Sequence, residues 1–187
     1  MKFILVFALF ISSLVADING GPYVGISYGI SQFNDDGYYQ DIKEDKSKSA
    51  GFYAGAYINK HLSVEFAYVS FDAKDFGDGF SVVDNLATEK TVSFSVMSLS
   101  TSAHYAFFND TLDFYAKFGA GEMHKSYLNE EGFTMLYGIG SAYRFNEYLS
   151  VKIAYDSYHF GYDEDYDKTT DYRMKLDYVY TAVEFQF

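Results

Sequence analysis

The sequence predicts an all-β protein, an eight-stranded antiparallel up-and-down barrel whose strands cross a membrane. Apolar residues alternate with small or polar ones in eight segments, the connections alternate between short and long, and the chain ends on phenylalanine. The chain also has 20 tyrosines and 19 phenylalanines but no tryptophan. This aromatic content is typical of short strands with one apolar face, or of an aromatic belt at a membrane interface.

The first strand shows the alternation most clearly, with Val24 and Ile26 on one face and Gly25 and Ser27 on the other. In the fourth strand the alternation changes phase at Val96-Met97, which predicts a β-bulge there. The eight predicted strands lie at about residues 23–33, 51–58, 62–68, 92–107, 114–121, 137–145, 149–156 and 178–187.

The connections predict which rim of the barrel faces which compartment. Short turns are predicted at residues 59–61, 109–111 and 146–147, and longer polar connections at residues 34–49, 72–90, 126–132 and 159–173. Short periplasmic turns and long extracellular loops are typical of outer-membrane barrels. We therefore expect both ends of the barrel domain at the periplasmic rim.

The first residues are typical of an export signal. Lys2 supplies a positive charge, residues 4–11 are apolar, and small residues lead to Ala16. The apolar run is too short to span a membrane as a helix. We expect a signal peptide at residues 1–16 and a single barrel domain at residues 17–187.

Charge and cysteine content exclude several classes of site and partner. The formal net charge is −12, which argues against nucleic acid or anionic lipid as an electrostatic partner of the whole chain. There is no cysteine, so disulfides and thiolate metal sites are excluded. We expect no cofactor.

The chemistry of the two strand faces favours a membrane barrel over a soluble one. A lipocalin-like soluble barrel would enclose the bulky apolar face, whereas a membrane barrel would turn that face to lipid. The interior of an eight-stranded barrel is only just wide enough for side chains. Glycine, serine and alanine dominate the other face, so we expect that face to point inward.

The end of the chain and several internal segments resemble a known family. Phe185 and Phe187 close an alternating segment that looks like the terminal signal read by the barrel assembly machinery. With them, residues 23–25, 114–121, 137–145 and 149–155 resemble the OmpA/OmpX-type small outer-membrane barrel superfamily, also called outer membrane β-barrel domain or porin family proteins.

The resemblance covers residues 21–187, and we expect no peptidoglycan-binding domain of the kind that full OmpA has. It implies a bacterial outer-membrane protein surrounded by outer-membrane lipid and lipopolysaccharide. We expect a monomer.

Charged residues at inward-facing positions are the first candidate site. An unpaired charge inside a membrane barrel is costly, so a salt-bridge network is expected. Our main interpretation is a non-enzymatic structural or surface-interaction protein whose lumen this network closes; the alternative is a narrow pore for small solutes or ions. The network residues are Glu65, Lys117, Arg144, Lys152, Asp156 and Glu184, with His104 beside them.

A catalytic interpretation rests on His124 and Ser126. Their spacing places both on one face, as a serine nucleophile and its base require, and Glu130 and Glu131 follow. This is the arrangement expected of a lipid A-modifying barrel enzyme, but the surrounding residues do not resemble one. We therefore expect no enzyme.

The long connections supply a third candidate. Residues 163–167 and 35–48 are rich in acidic residues that attract divalent cations, but their spacing matches no calcium-binding loop. Solvated surface loops are the simpler interpretation. Tyrosines interleaved with charge near residues 158–172 are also compatible with an extracellular ligand.

Overall fold

The structure is a computed structural model and describes residues 20–34, 46–75, 91–125, 130–162 and 172–187. Several predicted features lie outside these residues: the signal peptide, Ser126 and the acidic residues 163–167. Residues 35–45 of the other acidic connection also lie outside them. No helix in the described part of the chain is long and apolar enough to cross a membrane.

Eight antiparallel strands form one closed barrel, which confirms the predicted fold class. Each strand pairs with its neighbours in sequence, and the last pairs with the first, Tyr23 lying opposite Gln186. The strands are β1 (Gly21–Asn34), β2 (Lys46–Asn59), β3 (Leu62–Asp75), β4 (Thr91–Phe107), β5 (Leu112–Lys125), β6 (Glu130–Arg144), β7 (Leu149–Tyr162) and β8 (Tyr172–Gln186).

The three short turns lie where the sequence predicts them, all at one rim. Asparagine side chains close two of them: Asn59 Oδ1 accepts from the His61 N–H at 2.8 Å, and Asn146 Oδ1 accepts from the Leu149 N–H at 2.9 Å. The turn after β4 uses left-handed backbone at residues 108–110. At the opposite rim most strands run further than predicted, because the backbone ladder continues after the side chains become polar.

The predicted β-bulge at Val96-Met97 is wrong. Val96 and Met97 pair in continuous register with both β3 and β5, and the register shift between β3 and β4 lies higher, between Phe71 and Lys74. The alternation of inward and outward side chains is unbroken through Phe94 and Val96. What changes there is the chemistry of the inward face, which becomes apolar.

Bulky apolar side chains point outward around the wall, as Ile26, Leu99 and Ile139 do, with 60–67% of each exposed. Glycines on the inner face make room for tyrosine rings from the next strand. A Cβ at Gly25 would lie 2.2 Å from the ring of Tyr53, so no larger residue fits beneath that ring. Gly55 and Gly140 lie in the same way under the rings of Tyr23 and Tyr115.

Candidate functional site

The side chains inside the barrel form three layers, ordered from the short-turn rim upward. The lowest two are charged and the uppermost is aromatic. The basal cluster comprises Ser63, His104, Asp113 and Arg144; the central cluster comprises Glu65, Lys117, Lys152, Asp156 and Glu184; and the aromatic layer comprises Phe33, Phe71, Phe94, Tyr158, Phe160 and Tyr178.

Lys117 is the hub of the central cluster. Its Nζ donates to Glu65 Oε1 at 3.0 Å, to Asp156 Oδ2 at 3.2 Å and to the Tyr180 hydroxyl at 3.3 Å. Tyr23 donates to the other Glu65 oxygen at 3.1 Å, and Tyr180 donates to Asp156 Oδ2 at 3.1 Å. Lys117 and these four residues lie on five different strands, and its two carboxylate partners lie on β3 and β7, so the ammonium group links opposite walls of the barrel.

Lys152 forms the second ion pair of this cluster, with Glu184. Glu184 also accepts a hydrogen bond from the Tyr57 hydroxyl at 3.2 Å. Three rings contribute cation–π contacts that replace part of the hydration that the buried ammonium loses. Nζ of Lys152 lies 5.0, 5.1 and 5.5 Å from the ring centroids of Tyr23, Tyr53 and Tyr115.

The basal cluster is organised by Asp113. Asp113 Oδ2 lies 2.8 Å from His104 Nδ1 and 3.4 Å from Arg144 Nη2. On the other side of the imidazole ring, Nε2 lies 2.8 Å from Ser63 Oγ. The guanidinium of Arg144 lies 5.3 Å from the ring of Tyr57, and both residues line a depression of about 410 Å³ at the short-turn rim.

The structure places all seven residues of the predicted charge network on the interior, with Arg144 half-buried at the mouth. They form three groups. Lys117 pairs with Glu65 and Asp156, Lys152 pairs with Glu184, and His104 and Arg144 both contact Asp113. Sequence reasoning missed Asp113, which is fully buried and links His104 to Arg144. The signal was available, because Asp113 shares the inward phase of Lys117, but the strand was predicted to begin after it.

The aromatic layer crosses the lumen above the charges. Phe33 on β1 stacks on Phe94 of β4 at 5.4 Å and on Phe160 of β7 at 6.2 Å between ring centroids. Phe71 makes edge contacts with Tyr158 and Tyr178, at 5.8 and 5.7 Å. Each of these four contacts joins two strands that are not neighbours in the sheet, and all six rings are buried.

The remaining predicted site residues are dispersed. His124 lies half-buried on β5 beside Ser95, and its proposed partner Ser126 is outside the described residues. The described residues contain no group of histidine and acidic side chains that would hold a metal ion. At the chain end, the Phe187 N–H donates to the Pro22 carbonyl at 3.0 Å, and the Phe185 and Phe187 rings make an edge contact.

A comparison with protein families agrees with this architecture. The model of the outer membrane protein beta-barrel domain matches residues 2–179, nearly the whole chain. The chain belongs to this family. Its members are bacterial outer-membrane barrels, so the rim with the short turns is the periplasmic rim and the described upper strand ends face the cell exterior.

Solved structures of other outer-membrane barrels share the fold. Neisserial surface protein A is 14% identical, covers 90% of this chain and 99% of its own, and has a TM-score of 0.59. Ail of Yersinia pestis, in complex with the heparin analogue sucrose octasulfate, is 15% identical over 91% and 100% of the two chains, with a TM-score of 0.56.

OprG of Pseudomonas aeruginosa is 12% identical over 90% of this chain and 97% of its own, with a TM-score of 0.54. At such identities the likeness concerns the fold. A comparison with curated protein sequences gives no match.

Proposed function

We propose that this protein is a non-enzymatic surface protein of the outer membrane, whose interior is closed and whose barrel holds the extracellular connections in place. The observations that support this most directly are side-chain contacts that cross the described lumen at two heights. The central cluster links opposite walls through Lys117, and Phe33 links opposite walls of the aromatic layer above it.

A solute would have to displace both layers to pass. Separating Lys117 from its carboxylates leaves buried charges unpaired, which costs several kcal/mol. Moving Phe33 away from Phe94 and Phe160 breaks packed ring contacts as well. The two costs oppose a pore through the described interior, and they support the closed barrel over the alternative of a narrow pore.

In the basal cluster a serine, a histidine and an aspartate lie in the order found in serine hydrolases. Catalysis is therefore the competing proposal. Ser63, His104 and Asp113 form a line of two 2.8 Å contacts, as nucleophile, base and orienting acid do. Ser63, however, is only 1% exposed inside the wall. A substrate carbonyl needs to reach the hydroxyl within contact distance, so we assign the three groups a structural role.

The surface role rests on the long connections. Ail, one of the structurally similar barrels, is named an attachment invasion locus protein and binds a heparin analogue. By this likeness we propose that the connections at residues 35–45 and 163–171 contact an extracellular ligand. A rigid, filled barrel favours such contacts because it reduces the ordering cost of binding.

Conductance in a planar lipid bilayer tests the closed interior. We expect the wild-type barrel, shown to be folded by its heat-modifiable electrophoretic mobility, to give no steady current. A variant in which Phe33, Phe94 and Lys117 are all changed to alanine is the matched comparison, because it removes side chains from both layers. A steady, large conductance of the wild type would contradict the proposal.

A second measurement addresses the surface role. Because residues 163–171 contain five acidic residues and one lysine, the probe is a basic protein coated on a surface. Adhesion to it is compared between bacteria expressing the wild type and bacteria expressing a barrel whose residues 163–171 are replaced by a short glycine-rich turn. We expect adhesion to fall only in the shortened variant. Equal adhesion by both, at equal surface amounts of folded protein, would contradict the assignment of this connection.

A further inference from the structure

A polar depression opens at the periplasmic rim of the barrel, below the central cluster. It has a volume of about 410 Å³ and is lined by residues of all three short turns and of the last strand. We call it the periplasmic cup, and its lining includes Tyr57, Lys60, Asp110, Arg144, Glu147 and Gln186. The closed interior and the extracellular connections of the proposed surface role do not involve this cup.

Arg144 forms the inner side of the cup. Its side chain is 24% exposed and extends from β6 to β2, where the guanidinium carbon lies 5.3 Å from the ring centroid of Tyr57. Nη1 donates to the Asp110 carbonyl and Nη2 to Asp113 Oδ2, both at the long distance of 3.4 Å. A guanidinium has five N–H donors in one plane. Its further donors are therefore available to an anion, and the planar fork matches a carboxylate.

Charges of opposite sign lie on opposite sides of the cup. Lys60 is on the turn between β2 and β3, and Glu147 is on the turn between β6 and β7, half-way around the eight-stranded ring. Arg144 adds its charge to the Lys60 side, because its guanidinium packs on Tyr57 of β2. Within the described part of the chain, neither Lys60 nor Glu147 has an ion-pair partner. Asp110, on the turn between β4 and β5, gives the lining two acids for its two bases.

Hydrogen bonds between neighbouring segments of the rim fix the shape of the cup. The Arg144 N–H donates to the Thr111 carbonyl and the Gln186 N–H to the Tyr148 carbonyl, both at 2.8 Å. Asn146 Oδ1 accepts from two backbone N–H groups of its own turn, both at 2.9 Å. A site whose backbone is held in this way binds a ligand with a smaller ordering cost.

We propose that the periplasmic cup binds a short zwitterionic peptide, whose carboxylate contacts Arg144 and Lys60 and whose ammonium group contacts Glu147. A phosphate or sulfate would meet the two acids of the lining as well as its two bases, so a ligand with both charges matches the cup better. One carbon atom separates the two charged groups of a single amino acid, whereas a peptide places them far enough apart to reach both sides. The Gln186 amide can donate to and accept from the peptide bond between them.

An NMR titration of the folded, isotope-labelled barrel in detergent micelles tests this, because the amide signals of Gln186 and of the three turns report on the cup. The probe is alanyl-alanine. Its matched forms are alanyl-alanine amide, which lacks the carboxylate, and N-acetyl-alanyl-alanine, which lacks the ammonium group. We expect saturable binding of alanyl-alanine, about tenfold weaker binding of the amide because charged hydrogen bonds to Arg144 are lost, and about threefold weaker binding of the acetylated form because an exposed ion pair is weak.

Variants assign each charge of the peptide to a side of the cup. Glu147→Gln should weaken the binding of alanyl-alanine about threefold and leave that of the acetylated form unchanged, because that form has no ammonium group to lose. Asp72→Asn removes the same charge at the opposite rim and is the matched control, which should bind every probe as the wild type does. Arg144→Lys keeps the charge without the planar fork and should weaken both probes that carry a carboxylate. Heat-modifiable mobility selects folded protein, and Lys60→Gln replaces Arg144→Lys if the latter fails to fold.

Several outcomes would overturn the proposal. The first is a wild type whose rim amides show no saturable change with alanyl-alanine, or that binds the amide equally well. The second is a Glu147→Gln barrel that distinguishes the dipeptide from its acetylated form as the wild type does, or an equal loss in Asp72→Asn. Alanine is a further probe: binding as tight as that of alanyl-alanine would identify a single amino acid as the ligand and overturn the assignment to a peptide.

Discussion

In the periplasmic half of the interior, tyrosine rings and hydroxyls separate and pair charged groups, whereas in the extracellular half aromatic and aliphatic side chains contact one another directly. Lys117 and Lys152 represent the first arrangement and Phe33 and Leu176 the second, and all four are buried. Both halves are built from the same eight strands of one closed barrel.

The two halves differ in what determines their stability. A charge in the lower half needs a particular partner at hydrogen-bond distance, because an unpaired buried charge is expensive. A phenylalanine ring in the upper half needs neighbours of suitable volume, and no directional partner. In the lower half, the change in the free energy of unfolding should therefore depend on which partner a substitution leaves unpaired. In the upper half, it should depend on how much side-chain volume is lost.

The largest effect is expected for Lys117→Met. This variant removes the partner of Glu65 and Asp156 and leaves two carboxylates buried together, so we expect the free energy of unfolding to fall by about 3–5 kcal/mol. Urea-induced unfolding in phosphatidylcholine vesicles measures it. The chain has no tryptophan, so heat-modifiable mobility follows the transition.

A compensated variant separates loss of a partner from loss of packing. Lys117→Met/Glu65→Gln/Asp156→Asn retains nearly the same volume without the unpaired charges, and we expect it to recover most of the stability that Lys117→Met loses. If the triple variant is no more stable than the single one, packing and not charge pairing is what Lys117 contributes.

Two tyrosines of the same half offer a matched comparison. Tyr23 donates to Glu65 at 3.1 Å, whereas the buried Tyr53 hydroxyl has no hydrogen-bond partner. Tyr23→Phe should lower the free energy of unfolding by about 1.5–3 kcal/mol, since the lost hydrogen bond has a charged acceptor. Tyr53→Phe should leave it unchanged or raise it slightly. Equal effects, by the same unfolding assay, would mean that the hydroxyl partners do not matter.

The sequence indicates which face a side chain takes, but not which side chain it meets across the lumen. Glu65 and Lys117 follow from period-two alternation, which also identified the closed barrel. Their contact depends on the stagger between strands around the whole barrel, which no local pattern encodes. Asp113 was missed because its strand, which begins at Leu112, was predicted to begin two residues too late, at Phe114.

The aromatic layer was missed for a related reason. Phe94 and Val96 lie in the inward phase, but a membrane barrel with a polar interior was expected, so their apolar character was interpreted as a change of face at a bulge. The backbone has no such change. In β4 the inward-facing residues are small and polar in one half and large and apolar in the other. If only small polar residues are expected to face inward, this change looks like a shift in the alternation.

Among the substitutions expected to destabilise the barrel, Phe33→Leu in the aromatic layer should have the smallest effect. Leucine keeps the apolar contacts with Phe94 and Phe160 and loses some ring volume, so we expect a loss of about 1 kcal/mol in the free energy of unfolding. Phe33→Gln, of similar size but with an amide that has to be satisfied, is the control and should lose more. If Phe33→Leu loses as much as Lys117→Met, the upper half depends on particular partners as the lower half does, and the contrast between volume and pairing fails.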